Sequence, residues 1–484
     1  TSRCSARRPR SWRLGRLAML TYALENRGTD TLYEYLYKQI KTDILSKKLV
    51  AGERLPSKRL LAKNLNVSTI TVENAYSQLV AEGYIYSIPK SGYYVTDISA
   101  DLMKPLPERP AKQFEKPKEK KTYFADFASN STVEDAFPFS IWSKLLKEVM
   151  AENSKELMSR SPSKGVYELR SAVAGYLYQF RGMDVKPEQV IIGAGTEYLY
   201  GLIIQLLGYD KCYAVEDPGY QKISRIYQAQ NVCCKFVAMD ENGINMEALE
   251  ESGADVLHIS PAHHFPTGLV TPVSRRYELL SWASRKDNRY IIEDEYDSEF
   301  RLVGKPVPTL ESIDVGEKVI YINTFSKSLS STIRISYMVL PESLMRRYDE
   351  MLSFYACTVS NIEQYTLARF ITDGCLEKHI NRMRNYYREQ RDLVLACIKK
   401  YMNPDKIRIR EENSGLHFLL EIDTNYSDDR LRNNAEARDI HISFLSQYYR
   451  NTENARYHTL VINYSGIMPE HIEEAVRRLI ESIE

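Results

Sequence analysis

Apolar residues recur every four positions in TLYEYLYKQIKTDILSK (31–47), at Leu32, Leu36, Ile40 and Ile44. That spacing marks one face of a helix. Pro56-Ser57 opens a second predicted helix, SKRLLAKNL, which Asn66 breaks. Ser68 can cap a third, STITVENAYSQLVAEG, which ends at Gly83. Two short β-rich runs around Pro-Lys-Ser-Gly follow in YIYSIPKSGYYV, a hairpin signal. Three helices with a short connection between the second and third, then a hairpin, make a winged helix-turn-helix plan.

The pattern then changes twice. KPLPERPAKQFEKPKEKK is rich in proline and lysine and has little to bury, which reads as an extended, semi-stiff linker. Beyond Tyr123, strand-like runs appear at QVIIG, KCYAVE, ADVLHIS, RYIIEDE, KVIYINT and ISYMVL, with helical segments between several of them. A largely parallel sheet covered by helices is predicted. After Pro341 come long polar helices, then GLHFLLEI and TLVINYS as strands of a smaller α+β domain. The predicted organisation is a disordered or misannotated extension at 1–20, a winged helix-turn-helix domain at 28–97 and a linker at 98–122. An α/β domain follows at 123–484, with a large subdomain at about 166–340 and a small one at about 341–484.

The chain of 484 residues is too long for one core, in keeping with several domains. A formal net charge of +1 neither demands nor excludes nucleic acid. The 7 cysteines form no CxxC pair, which suits a reduced, cytoplasmic protein better than a disulfide framework, and no metal site is expected. No apolar stretch approaches the roughly 20 residues that span a bilayer, so no membrane partner is expected.

In a helix-turn-helix the second helix enters the major groove, with its N-terminal side chains on base edges. The candidates here are Ser68, Thr69, Thr71 and Asn74. Arg59 on the preceding helix and Lys90 in the wing suit phosphates, and Ser57, at that helix's start, joins the DNA-binding set. The stretch from LPSKRLLAKNLNVSTITVENAYSQLV to SGYYV resembles the winged-helix domain of GntR-type bacterial regulators over about 32–95. Many such domains carry an arginine where Thr69 stands and sometimes a basic residue where Glu73 stands. This departure puts the sequence preference for an operator in doubt, though not binding to double-stranded DNA.

Lys327, in NTFSKSLSSTIRISYMVL, sits among serines between apolar runs, and lysine is seldom buried without a partner. Upstream, IIEDEYDSEF places Asp294 and Tyr296 at the end of a probable strand, EDPGY ends at Tyr220, and GAGTEYLYGL runs a glycine-rich turn into a helix suited to a phosphate. A Schiff-base lysine, an acid for the pyridine nitrogen, a donor for the ring hydroxyl, an aromatic face and a phosphate cup are what pyridoxal 5'-phosphate chemistry needs. The order of these motifs resembles the fold-type-I aminotransferases. The resemblance implies Lys327 as the catalytic Schiff-base residue, Asp294 on the pyridine nitrogen, Tyr296 at the ring hydroxyl and Tyr220 stacked on the ring. Gly195, Thr196, Thr324, Ser326 and Arg334 would surround the phosphate.

Both halves on one chain resemble the MocR subfamily of GntR regulators. SPAHHFPTG carries Phe265, preceded by His264, where aminotransferases usually have the asparagine of Asn-Pro-Thr-Gly. In the last strand, TLVINYS, Val461 stands where an arginine commonly binds the substrate carboxylate, and a valine cannot do so. Arg160 lies near the place of a missing tyrosine and is a candidate for a phosphate. Lys222 is the candidate for an effector carboxylate. The resemblance implies a homodimeric, pyridoxal-phosphate-dependent transcriptional regulator that senses a small amine or amino acid through external aldimine formation at Lys327. The alternative is a working aminotransferase with a fused DNA-binding domain.

Overall fold

The computed structural model describes residues 20–98, 121–129, 136–304, 307–413 and 415–483. The expected linker, 98–122, lies outside them apart from its ends, as does the extension 1–20 except for Leu20. The chain divides into two compact units, Thr1–Glu119 and Lys120–Glu484.

In the first unit, α1 (Leu32–Leu45), α2 (Lys58–Leu65) and α3 (Thr69–Ala81) precede β1 (Ile85–Ile88) and β2 (Gly92–Val95), which pair antiparallel. Leu36 and Ile40 of α1 meet Leu61 of α2, Val72, Tyr76 and Leu79 of α3, and Ile85 and Val95 of the hairpin in one core. A Thr31–Glu34 capping box starts α1. Asn66 adopts left-handed geometry (φ 52°) to end α2, so the turn into α3 needs only a few residues. The Tyr76 hydroxyl donates to Pro56 O at 2.9 Å and ties α3 to the entry of α2. This unit starts earlier than position 28: Leu20 is buried in its core and Tyr22 donates to Asp43 at 2.8 Å.

The second unit is built on an eight-stranded sheet. Its strands are β4 (Val190–Gly193), β5 (Cys212–Asp217), β6 (Cys233–Asp240), β7 (Gly243–Ile244), β8 (Val256–Ile259), β9 (Tyr290–Asp294), β10 (Val319–Thr324) and β11 (Ser336–Val339); β3 (Ala125–Asp126) belongs elsewhere. The order is β4-β11-β10-β9-β8-β5-β6-β7. From β10 to β6 neighbours run parallel, while β11 is antiparallel to β10 and β4, and β7 to β6. Strands such as VIIG and VIYINT are buried at every position, as strands covered on both faces require. Cys212 and Cys233, register partners on β5 and β6, are joined by a disulfide, contrary to the expectation of reduced thiols. Their parallel pairing sets the Cα atoms 4.5 Å apart.

A smaller lobe carries the three-stranded sheet β12 (Ile407–Arg410), β13 (His417–Ile422) and β15 (Thr459–Asn463), while β14 (Ile440–His441) pairs with β3. Thus the chain near residue 125 builds the small lobe. Conversely, residues just after 341 pack on the large sheet. Leu344, Met345 and Tyr348 join its core, and Leu367, Phe370 and Leu376 join the cluster formed with β4 and β10. The small lobe therefore does not take over at position 341. Gly374 (φ 68°) separates the helices Asn361–Thr372 and Cys375–Tyr401, and the second carries the chain across. No helix among the described residues is long and apolar enough to cross a membrane.

Candidate functional site

The carboxyl ends of the parallel strands open into a cavity of about 620 Å³. Such crevices are where open α/β sheets bind ligands. Gly195, Thr196, Tyr220, Lys222, Asp294, Tyr296, Thr324, Ser326, Lys327 and Arg334 all line it. Apart from Arg160, every sequence-predicted residue of the cofactor and effector sets thus faces one volume, although they span 140 positions from Gly195 to Arg334.

Lys327 lies in the single helical turn Phe325–Ser328, directly after β10. Thr324 starts the turn by accepting the Ser326 N–H at 3.1 Å, and its hydroxyl in turn receives one from Ser336, its register partner on β11, at 2.8 Å. Burial pushes the Lys327 ammonium down to about 8, against the opposing attraction of Asp297. Asp294 ends β9 and accepts from the Tyr200 hydroxyl and from His258 Nε2 at 3.3 Å. His258 Nδ1 lies 2.6 Å from the Tyr227 hydroxyl. The tautomer with its proton on Nε2 satisfies both contacts, so Asp294 accepts from two donors. The Tyr296 hydroxyl is 3.2 Å from His263 Nδ1, which also meets Asp297 at 2.8 Å.

At the other end, Gly195 (φ 94°) leads into the helix Thr196–Leu207, whose first N–H groups face the cavity's end. A Cβ at Gly195 would sit 2.5 Å from the Arg334 guanidinium, so only glycine lets that side chain approach. Arg334 itself has φ 52° and pairs with Glu197 at 2.7 Å. Glu197 also takes an ion pair from Lys222. Burial raises the Glu197 carboxyl, but the two cations and its own helix-terminal N–H outweigh that and hold it at about 2. Glu197 was invisible as a site residue, because glutamate in the first turn of a helix reads as ordinary capping. Lys222 accordingly enters the cavity with a carboxylate already attached.

Tyr220 is 51% exposed and meets Phe265 edge-to-face at 5.9 Å between centroids. Its loop is fastened to the small lobe: Asp217 accepts the Arg450 and Asn451 N–H groups at 2.7 and 3.1 Å, and the Gly219 N–H donates to Tyr448 O at 3.2 Å. Val461 is fully buried on β15 with Leu419 and Leu445, behind Phe265 and Tyr448, which do line the cavity. Arg160 is absent from the lining and donates to Phe354 O at 2.8 Å. Three buried donors not singled out by sequence, His263, Asp297 and His417, each bring one ligand-type atom within 4.8 Å of the others. They are engaged in hydrogen bonds: His263 with Asp297, and His417 Nε2 with Pro266 O at 3.1 Å.

On the winged helix, Arg59, Thr69, Asn74 and Lys90 are exposed, and Lys90 sits at the hairpin turn with φ 62°. Ser57 and Ser68 are helix caps, accepting the N–H of Leu60 at 3.2 Å and of Thr71 at 3.1 Å. Thr71 shares a hydroxyl contact with Ser68 at 2.8 Å. Glu73 pairs with Lys58, and Ile70, which the sequence reading passed over, is 68% exposed at the start of α3. An exposed isoleucine there has the chemistry for a thymine methyl.

Residues 32–95 match the family of bacterial regulatory proteins of the gntR type, and 126–479 match aminotransferase class I and II. The chain is 38% identical to the HTH-type transcriptional regulator YdeL of Bacillus subtilis, over 94% of this chain and 97% of that protein. It is 30% identical to the HTH-type pyridoxine biosynthesis transcriptional regulator PdxR of Corynebacterium glutamicum, over 90% of this chain and 93% of that one. It is 28% identical to the probable rhizopine catabolism regulatory protein MocR of Rhizobium meliloti, over 93% of each. Among solved structures, a kynurenine aminotransferase of Pyrococcus horikoshii superposes with a TM-score of 0.65 at 23% identity, covering 75% of this chain and 91% of that one.

Proposed function

This chain belongs to the HTH-type transcriptional regulators that join a gntR-family winged helix to an aminotransferase class I and II domain, with pyridoxal phosphate as cofactor, and on that premise we propose that it senses a primary amine at Lys327 and reports it to DNA. One observation carries the reading. The amine-reactive end of the cavity holds Lys327, Asp294 and Tyr296 together, while the place of a substrate-carboxylate clamp is filled by the buried Val461.

The donor set fits the cofactor. Arg334, Thr324, Ser326 and the helix start at Gly195–Thr196 offer a phosphate one full cation and several N–H and O–H donors. Asp294, which accepts from Tyr200 and His258, would meet the pyridine nitrogen, and Tyr296 the ring hydroxyl. Tyr220 would cover the ring. When bound, pyridoxal phosphate supplies an aldehyde that condenses reversibly with primary amines. Lys327 is suited to that exchange, since with its ammonium near 8 roughly a tenth of it is neutral and nucleophilic at pH 7. An effector amine that takes the place of Lys327 Nζ frees the lysine side chain within the cavity. A change in DNA affinity follows when the two arrangements bind the effector unequally. The absent arginine at Val461 weakens the hold on simple α-amino acids, which favours sensing over turnover.

The working form in this reading is a cytoplasmic homodimer on a double-stranded operator, with Arg59 and Lys90 on phosphates and Thr69, Thr71 and Asn74 at base edges. The test is an absorbance screen of the purified protein against amino acids, D-amino acids and small amines, with operator affinity measured for each hit. The expected result is an amine that shifts both the spectrum and the DNA affinity without accumulating keto acid. Rapid transamination of a common α-amino acid overturns the reading in favour of an enzyme.

A further inference from the structure

Phe265 stands where an asparagine amide would otherwise meet the cofactor ring, yet the cavity beside it is not apolar. Glu216, the last residue but one of β5, lines the same cavity as Lys327, Asp294 and Tyr296, and its side chain is only 9% exposed. One carboxyl oxygen, Oε2, accepts the Ser260 N–H at 3.1 Å and lies 3.4 Å from His264 Nε2. That ring nitrogen is buried and has no other partner among the described residues, while Nδ1 of the same ring meets Thr267 Oγ1 at 2.7 Å. His264 and Thr267 bracket Phe265 and Pro266. The residues that displaced the amide therefore also position a carboxyl at its side.

We propose that the Glu216 carboxyl, seated between the Ser260 N–H and His264 Nε2, supplies the cofactor ring with the polar contact that Phe265 cannot make. This rests on the cavity being the pyridoxal phosphate site. A carboxylate would be a poor replacement for an amide N–H, because it only accepts; a carboxylic acid donates. Burial, opposed by the Ser260 N–H and aided by the charge of Asp294, pushes Glu216 up to about 8. Burial also pushes His264 down to about 3, so neither partner carries charge near neutral pH. Two carboxyls in one cavity then have separate tasks. Asp294, which accepts from Tyr200 and His258, would meet the pyridine nitrogen, and Glu216 keeps a proton to give, the division expected where two acids sit in unlike surroundings. Glu216 is a positioning residue here, one that orients the ring and does not carry out the exchange.

The test titrates the purified full-length protein with pyridoxal phosphate, reading affinity by fluorescence quenching and the bound spectrum by absorbance, in both wild-type and Lys327→Ala backgrounds. Removing the donor in Glu216→Ala is expected to weaken binding about tenfold and move the absorption maximum of the bound cofactor. Glu216→Met, which refills the volume, should match the alanine variant. Glu216→Gln, which keeps a donor at the same reach, should stay within about threefold of wild type and keep its maximum. The same ratios in the Lys327→Ala background separate this contact from any role of the lysine. Equal affinity for all four proteins overturns the proposal. A loss in Glu216→Gln as large as in Glu216→Ala and Glu216→Met also overturns it.

Discussion

The winged helix and the cavity spend polar side chains in opposite ways. In α2 and α3 the serines with the strongest sequence signal, Ser57 and Ser68, are turned onto their own backbone as caps. Their contacts reach three residues away, and the exposed surface they leave consists of neighbours such as Arg59, Thr69, Ile70 and Asn74. In the cavity almost every polar contact joins residues far apart in sequence: Tyr200 to Asp294 across 94 positions, Arg334 to Glu197 across 137. A local device can be lost with modest local damage, whereas a change in a convergent one is felt by residues far away in the chain.

The largest expected effect separates the two regions cleanly. Lys327→Ala abolishes the pyridoxyl label that borohydride reduction leaves on the protein, while operator binding by the unliganded protein persists. Peptide mapping that finds the label elsewhere breaks the assignment. Covalent capture of the cofactor should also depend on pH through that lysine. Below its lowered value of about 8, the neutral fraction and hence the capture rate rise about tenfold per pH unit, then level off above it. A rate that climbs unchanged to pH 10 shows an ordinary lysine.

Arg59→Ala is expected to weaken binding to all sequences by about tenfold and to reduce the salt slope by about one, since one phosphate contact releases about one counterion. Asn74→Ala should instead alter preference among operators, which a competition assay reads. Glu197→Gln should raise cofactor affinity, on the order of fivefold, because a carboxylate no longer competes with the phosphate for Arg334 in a charge-assisted pair. The smallest effect is Ser68→Ala, a loss of about 1 kcal/mol in unfolding of the winged helix with no change in the cavity's spectrum.

Much of this was legible before any coordinates. The three helices and hairpin of the first unit follow from period and caps, and six strands of the large sheet follow from apolar runs. The segment Cys233–Asp240 was not foreseen as a strand, nor Ile407–Arg410. Each keeps one face toward solvent and alternates charged or exposed positions with half-buried ones. Their apolar signal is therefore halved. The pairing of β11 with β4 and of β3 with β14 has no local signature, since the partners lie more than 100 positions apart. At the site, residues named by motif, such as Asp294 and Arg334, line one cavity. The residues that tune them, Glu197, Glu216, His258 and His264, belong to no short pattern. They acquire meaning only from what burial and neighbouring charge do to their protons.

The three hydrogen bonds from the Asp217–Gly219 loop to residues 448–451 make Tyr220 part of a mechanical coupling between the lobes of the second unit. At about 0.5–1.5 kcal/mol each, they resist independent movement of the loop more strongly than thermal energy can overcome at one contact. A ligand that presses the Tyr220 ring aside therefore pushes directly on the strand-connecting segment ahead of β15.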